Sequence, residues 1–238
     1  MRLDKYISSQ GNYSRKDIKE IVKNGRISVN GTVATSVQTQ IDPEKTEVLF
    51  DNNPFSYKKN IYIMMNKPKG VLSAAKDSQK TVIDLLPEHL KRNGLFPAGR
   101  LDKDTEGLLI ITDDGDFAHK LLSPSSKIEK EYYAEIDSKI TGKDIEIFSK
   151  GTRLADGTVC LPAKLSVFKE EENQTVSVIV FEGKYHQIKR MLGTIGAGVV
   201  NLKRVRIGEF LLSEDFSSGE CRELSSEETS LLFNKQQN

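Results

Sequence analysis

The chain has 238 residues, of which 37% are hydrophobic and 29% are charged, a composition typical of a soluble globular protein of one or two domains. No apolar run is long enough to cross a bilayer, and the charged start MRLDKYISSQ is not a secretory signal, so we expect no membrane association. The two cysteines, Cys160 and Cys221, provide neither a disulfide framework nor a zinc-binding spacing, which predicts a reducing cytoplasm and no structural metal.

The net charge of +1 hides an uneven distribution of charged residues. Residues 1–30 carry seven bases against three acids, and the stretch between Glu182 and Glu209 contains no acid. The bases in this second stretch are Lys184, Lys189, Arg190, Lys203, Arg204 and Arg206. Two basic regions on a nearly neutral chain predict contacts with a polyanion at two places, although two solvated faces would have the same composition.

The first fifty residues predict two short helices and a hairpin. Leu3, Tyr6 and Ile7 are spaced as one face of a helix, and Ser14 is a suitable N-cap for a second helix over SRKDIKEIVKNG. Asn30-Gly31 interrupts the alternating stretch RISVNGTVAT, and this dipeptide is a strong signal for a two-residue hairpin turn. We therefore predict a small domain over residues 1–50.

Basic side chains cluster on the second predicted helix. Lys16, Lys19 and Lys23 follow one another at intervals of three and four residues, so they share one face, and Arg15 lies beside them. A row of ammonium groups suits a phosphate backbone, whose contacts position a protein without reading sequence. An ordinary amphipathic helix with a solvated lysine face is the alternative.

The polar segment DNNPFSYKKN, residues 51–60, predicts a linker, and a second domain is predicted over residues 61–238. Strands are predicted at 61–70, 107–112, 130–136 and 175–183, and helices at 81–90, 116–123, 185–196 and 225–233. Asp116 is the predicted N-cap of the helix at 116–123. Strands and helices that mix without a regular period predict an α+β fold with a mixed, largely antiparallel sheet.

Six acids surround a predicted core strand in FPAGRLDKDTEGLLIITDDGD, which runs from Phe96 to Asp116. Arg100 and Asp102 are separated by one residue, so in an extended chain they point to the same side. A carboxylate at the edge of a core strand stays ionised and nucleophilic if a cation holds it. The alternative is a structural Arg–Asp pair that fixes a loop.

The segment RLDKYISSQGNYSRKDIKEIVKNGRISVNG resembles the S4 RNA-binding domain. The resemblance rests on the SR start of the second helix, on the NGRISVNG hairpin and on the basic face between them. It implies that Arg15, Lys16, Lys19 and Lys23 bind structured RNA, and it implies nothing about catalysis.

From about Ile61 onward the chain resembles the pseudouridine synthases, in particular the RsuA-like branch typified by the small-subunit ribosomal RNA enzyme. The motif GRLDKDTEGLL, the strand start EKEY and the segment EGKYHQIKRM occur in that order, and NKPKGVL upstream is similar to the family as well. The resemblance implies that Asp102 is the catalytic aspartate and that Tyr132 stacks under the target base and takes the C5 proton. Lys189 corresponds to the basic residue that pairs with the aspartate, and Arg100 to an arginine that holds the flipped nucleotide.

The resemblance further implies isomerisation of a uridine to pseudouridine in ribosomal RNA or in a partly assembled ribosomal subunit. No cofactor is expected, because the reaction involves neither redox chemistry nor transfer of an external group, and the sequence contains no P-loop or GxGxxG motif. We expect a monomer, and we expect 16S small-subunit RNA as its substrate, which the absence of a basic C-terminal tail favours. A 23S large-subunit enzyme and a non-catalytic ribosome-assembly protein are the alternatives, and the S4-like part alone would also fit a translation regulator that binds messenger RNA.

Overall fold

A computed structural model describes residues 1–234 and divides into two compact units. The first unit combines Met1–Ile61 with Leu86–Leu95, and the second combines Tyr62–Leu85 with the chain from Phe96 onward. In the described part of the chain no helix is both long and apolar enough to cross a membrane. The architecture is α+β, as predicted from the sequence.

The first unit contains two helices and a four-stranded sheet. The helices are α1 (Leu3–Ser9) and α2 (Arg15–Lys23), and the strands are β1 (Ile27–Val29), β2 (Thr32–Val33), β3 (Val48–Phe50) and β4 (Asn53–Pro54). The strands are antiparallel in the order β2-β1-β3-β4. Ser14 caps α2 through a capping box with Asp17, and Asn30 and Gly31 adopt positive φ angles in the turn between β1 and β2, as the sequence predicted.

The core of the first unit explains why residues 51–60 are not an extended linker. Tyr6 is buried among the apolar side chains of both helices, and its hydroxyl donates a hydrogen bond to the carbonyl of Phe55. Tyr57 stacks on the Tyr6 ring with 5.5 Å between ring centroids. Two aromatic residues inside a polar segment were the sequence signal for this packing, because exposed aromatic rings are costly in a flexible connection.

The second unit is built on a nine-stranded sheet. Its strands are β5 (Tyr62–Lys67), β6 (Phe96–Pro97), β7 (Glu106–Thr112), β8 (Lys130–Ile136), β9 (Lys164–Glu170), β10 (Gln174–Val180), β11 (Val199–Ile207), β12 (Phe210–Leu211) and β13 (Cys221–Glu223). The main path runs β13-β5-β7-β11-β8-β10-β9, with β6 beside β7 and β12 beside β11. The β7–β11 pair is parallel, and every other pair is antiparallel.

Up to residue 234, four α-helices accompany this sheet: α3 (Gly115–Leu122), α4 (Gly142–Lys150), α5 (Gln187–Gly193) and α6 (Ser226–Leu231). The helix predicted at 116–123 begins one residue earlier, and its N-cap is Asp114, whose side chain accepts from the Phe117 amide. Asp116 lies in the first turn, where its charge complements the helix dipole. The prediction of Asp116 as the cap was therefore wrong by two positions.

The helix predicted at 81–90 does not form. The Asp84 carboxylate accepts hydrogen bonds from the amide and the hydroxyl of Thr81, which fixes a tight turn in place of a helical one. Pro87 then disfavours helical backbone at the residue before it, so only a single 3-10 turn, Glu88–Leu90, remains. Val82, Leu86 and Leu90 are nevertheless buried. The periodic apolar pattern therefore indicated which residues are buried, but not that they form a helix.

The central strand pair brings the chain very close to itself. Gly107 on β7 has φ +103°, and a Cβ atom at this position would clash with the backbone of Arg204 on β11. The four residues that follow, Leu108–Ile111, are fully buried. Only glycine fits at this approach, which places the loop before β7 directly against the middle of the sheet.

Candidate active site

The loop between β6 and β7 carries Asp102 at the edge of a small pocket. The pocket has a volume of about 60 Å³, and its lining includes Arg100, Asp102, Tyr132 and His186. The Asp102 side chain is 27% exposed, so its carboxylate meets both solvent and the protein interior. The structure thus brings together Asp102, Tyr132 and Arg100, three of the residues singled out from the sequence.

One buried ammonium group holds the Asp102 loop against β5. Lys67 Nζ donates to the carbonyl oxygens of Pro68 at 3.0 Å, Asp102 at 3.1 Å and Thr105 at 2.9 Å, with the Lys103 carbonyl at 3.4 Å. Burial lowers the pKa of Lys67 to about 8, so the group is largely charged at neutral pH. The contacts fix the backbone of the loop, and the Asp102 side chain remains available for chemistry.

A hydroxyl holds the other side of the same loop. Ser73 Oγ donates to the Leu101 carbonyl at 3.0 Å and accepts from the Leu101 amide at 3.1 Å. Leu101 itself is buried, so it anchors the loop between Arg100 and Asp102. Asp102 is therefore fixed through its neighbours on both sides, which favours one orientation of its carboxylate.

Two bases from the EGKYHQIKRM segment reach the Asp102 carboxylate. His186 Nε2 lies 3.5 Å from Asp102 Oδ1, and Lys189 Nζ lies 3.9 Å from Asp102 Oδ2. Lys189 is closer to Asp104, with 2.6 Å to each carboxylate oxygen, and this contact lowers the pKa of Asp104. Sequence reasoning assigned Lys189 to Asp102 alone and gave Asp104 no role, whereas the structure places the ammonium group between the two carboxylates.

Tyr132 lies on β8 with its ring largely buried beside the pocket. Behind it is Arg204 of β11, whose Nη1 donates to the Tyr132 hydroxyl at 3.4 Å and whose Nε donates to the Leu108 carbonyl at 2.8 Å. Arg204 Nη2 is buried and has no hydrogen-bond partner among residues 1–234. A buried guanidinium is costly unless it is paired, so its presence behind the tyrosine indicates a positional role.

Arg100 lines the pocket but is exposed, and within the described residues it forms no ion pair with Asp102. The basic side chains that approach Asp102 are instead His186 and Lys189, from the segment around α5. Lys67, Arg204 and the contact of His186 with Asp102 were not predicted from the sequence. A signal was present for Lys67, which follows the apolar stretch IYIMM within a predicted strand, because a lysine there is rarely buried without a reason.

Lys130 is a second buried lysine, on the same face of β8 as Tyr132. Its Nζ donates to the Ile128 carbonyl at 3.2 Å, and burial together with the nearby Arg204 charge lowers its pKa to about 8. We expect Lys130→Met to raise the free energy of unfolding by about 1–3 kcal/mol at pH 7, because it removes a poorly paired buried charge.

This stabilisation depends on pH with a definite sign. Lys130 loses its proton near pH 8 in the folded protein but near pH 10.5 in the unfolded chain, so between these values the unfolded chain holds more protons and wild-type stability rises with pH. The advantage of Lys130→Met should be largest below pH 8 and disappear near pH 10.5. Urea denaturation of both proteins across this range measures it, and a variant that is less stable at pH 7 would contradict the expectation.

A second concave surface, which we term the basic groove, lies within the first unit. It has a volume of about 770 Å³, and its lining includes Arg2, Lys5, Tyr13, Arg15 and Lys19. Arg2 pairs with Asp4 at 2.7 Å, whereas Lys5, Arg15 and Lys19 form no ion pair with any residue of the described chain. The groove is therefore a cationic surface with an aromatic ring at its side, which suits a nucleic-acid backbone.

The basic residues predicted to form one RNA-binding row on α2 do not all line the basic groove. Arg15 and Lys19, four residues apart on the helix, line the basic groove, and Lys16 and Lys23 do not. The bases that complete the groove, Arg2 and Lys5, come from the start of the chain and from α1. Helical spacing could not identify them, because the relative placement of two helices is a tertiary property.

Comparison with known proteins identifies the family to which the chain belongs. The profile of the RNA pseudouridylate synthases matches residues 61–194, and that of the S4 domain matches residues 1–46. The chain belongs to the RNA pseudouridine synthases that carry an N-terminal S4 domain, enzymes that isomerise uridine to pseudouridine.

Individual relatives extend the match to almost the whole chain. A Bacillus subtilis protein described as an uncharacterized RNA pseudouridine synthase is 44% identical over 98% of both chains. A ribosomal small subunit pseudouridine synthase A from Vibrio cholerae is 37% identical over 98% of this chain and 100% of its own. A putative chloroplastic large subunit synthase from Arabidopsis thaliana is 33% identical over 97% of this chain and 60% of its own. The crystal structure of a pseudouridylate synthase superposes with a TM-score of 0.67 at 31% identity, covering 98% of this chain and 99% of the other.

Proposed function

We propose that the protein isomerises one uridine of small-subunit ribosomal RNA, with Asp102 as its catalytic carboxylate. The observation that supports this most is the convergence of the Asp102 carboxylate, the Tyr132 ring and two bases of the α5 segment on one pocket. The full-length similarity to a small-subunit synthase supports the choice of RNA.

The reaction rearranges one nucleotide and adds nothing to it. The bond between C1′ and N1 breaks, the uracil rotates, and a bond forms between C1′ and C5. The proton on C5 is then lost and N1 gains one, so atoms and charge balance without a cofactor. Asp102 acts either as the nucleophile at C1′ or as the base that takes the 2′ proton, and both routes require an ionised carboxylate.

The target uridine must leave its stack to reach the pocket, which costs a few kcal/mol. Tyr132 offers a ring on which the uracil can stack, and such contacts return about 1–3 kcal/mol per base. The Arg204 contact with its hydroxyl keeps the ring in place and leaves the phenol oxygen directed at a cation. This arrangement suits Tyr132 for the final removal of the C5 proton, which needs a positioned base.

The basic groove supplies the second part of the proposal. Its cations would bind the phosphate backbone of structured RNA without reading sequence, while the catalytic pocket selects the nucleotide. Because Lys5, Arg15 and Lys19 carry the unpaired charge of this surface, they replace Lys16 and Lys23 as the main RNA contacts in this proposal.

Tritium release tests the substrate. Ribosomal RNA labelled with tritium at uridine C5 loses label when pseudouridine forms, so small- and large-subunit RNA are assayed separately, each as naked transcript and as partly assembled particle. We expect release from the small-subunit RNA. Release from the large-subunit RNA alone would support the second candidate, which the Arabidopsis relative favours, and absence of release from every substrate would contradict the proposal.

A further inference from the structure

Tyr185 is 76% exposed and directly precedes His186, a residue of the active-site pocket. Its ring stacks on the His186 imidazole, with 3.9 Å between ring centroids and 17° between ring planes. His186 in turn lines the pocket and lies 3.5 Å from Asp102. One face of the tyrosine ring is therefore covered by a pocket residue, and the other face is exposed to solvent. Only the His186 imidazole separates the ring from the Asp102 carboxylate.

The backbone on both sides of this ring is held by charged contacts. Arg190 Nη1 donates to the Tyr185 carbonyl at 3.3 Å, and the same guanidinium pairs with Asp156 at 2.5 Å. Lys184 Nζ is bound to Glu182 at 2.6 Å and to the Val159 carbonyl at 2.9 Å. A ring on such a fixed segment loses little conformational entropy when it binds a partner, and this makes its outer face a preorganised contact surface.

The surroundings of Tyr185 fit single-stranded nucleic acid. The side chain of Val159 is 55% exposed, and its carbonyl is tied to the Tyr185 segment through Lys184, so an apolar edge lies in the same part of the molecule. Lys184 and Arg190 flank the ring in sequence, but each is paired with an acid, Glu182 and Asp156, so the segment offers its aromatic face and not free charge. Proteins hold unpaired bases on exposed aromatic faces of this kind.

We propose that Tyr185, supported by His186, is a stacking platform for the nucleobase adjoining the target uridine. The inference rests on the proposed function, since it assumes a uridine flipped into the Asp102 pocket. When one base leaves the stack, its neighbour loses a stacking partner. The outer face of Tyr185 replaces that partner at the mouth of the pocket, and because every base has a π-face, the contact does not depend on the identity of the neighbour.

The test compares Tyr185→Leu and Tyr185→Phe with wild type in the tritium-release assay, on the naked transcript that wild type turns over. We expect Tyr185→Leu to raise KM by about 5-fold or more with a much smaller change in kcat, because the platform binds a base that does not react. Tyr185→Phe retains the ring and should keep the wild-type KM. An unchanged KM in Tyr185→Leu overturns the proposal. A rise of KM in Tyr185→Phe equal to that in Tyr185→Leu overturns it as well.

Phe168→Leu is the matched control. Phe168 is 54% exposed on β9 and stacks on Tyr133 with 4.1 Å between ring centroids, so it is another exposed, stacked ring, but its stacking partner is not a residue of the pocket, whereas that of Tyr185 is. This variant should keep the wild-type KM and kcat. An equal rise of KM in Phe168→Leu would show a general effect of losing a surface ring and would overturn the proposal.

Photo-crosslinking gives a readout that does not require turnover. With a transcript containing 4-thiouridine, RNA should crosslink to the peptide that contains residue 185 in wild type and Tyr185→Phe, and with lower yield in Tyr185→Leu. Absence of tritium release with this crosslink present contradicts the proposed reaction and leaves the platform supported. Tritium release without this crosslink supports the proposed reaction and contradicts the stacking platform. A defect of Tyr185→Leu seen only with protein-bearing particles would assign the ring to a protein partner and overturn the proposal.

Discussion

Replacing Asp102 by Asn is expected to abolish pseudouridine formation, with a loss of at least about 10⁴-fold, while RNA affinity stays unchanged or rises slightly. The amide cannot act as an anion, either as a nucleophile or as a base toward the 2′ proton. The substitution changes no atom that holds the loop, because the Lys67 contact uses the Asp102 backbone carbonyl. The measurement is single-turnover tritium release combined with filter binding of the same RNA.

Asp116→Asn is the control for this variant. Asp116 belongs to the same acidic stretch but lies exposed in the first turn of α3, so its replacement should leave activity at the wild-type level. Measurable turnover by Asp102→Asn on an RNA that wild type converts would refute the assignment of Asp102. Loss of activity in both variants would indicate that the negative charge of the stretch, and not one carboxylate, matters.

Removing two charges from the basic groove is expected to weaken RNA binding about tenfold at 0.1 M salt. In the double variant Arg15→Gln/Lys19→Gln two phosphate contacts are lost, so fewer counterions are released on binding. The slope of log affinity against log salt concentration should become less steep by about 1.5. Fluorescence anisotropy of labelled RNA at several salt concentrations gives both quantities.

The matched control removes the same charge from the same helix. Lys16→Gln/Lys23→Gln deletes two bases of α2 that lie outside the groove, and we expect affinity and salt slope to stay near the wild-type values. Equal effects of the two double variants would mean that RNA responds to the overall charge of α2. A larger effect of the control variant would mean that RNA binds the lysine row predicted from helical spacing and not the basic groove.

Local patterns predicted much of the fold because they report local interactions. The Ser14 capping box, the Asn30-Gly31 turn and the buried strand after Gly107 were all predicted from neighbouring residues. The helix wrongly predicted at residues 81–90 has a local explanation too. Asp84 and Pro87 prevent helix formation there, and the periodic apolar residues are buried in an irregular segment instead.

The candidate site was predictable only in part. Asp102 and Tyr132 came from motif resemblance, and the structure places both at one pocket. The nearer partner of Lys189, which is Asp104, and the buried Arg204 behind Tyr132 depend on side-chain directions between segments about 70 to 100 residues apart in the chain, where sequence spacing carries no information.

The position of β11 in the sheet has a consequence for synthesis of the protein. This strand lies between β7 and β8, so it joins the β5–β7 strands to the β8–β10–β9 strands, all of which are made before it. While the ribosome elongates the chain, the first unit can fold early, but the β7 half and the β8 half stay unjoined until residues 199–207 have emerged. Arg204 arrives with that strand, and the pocket wall behind Tyr132 closes at the same moment. On the proposed function, the surface that binds RNA is therefore complete well before the pocket that modifies it.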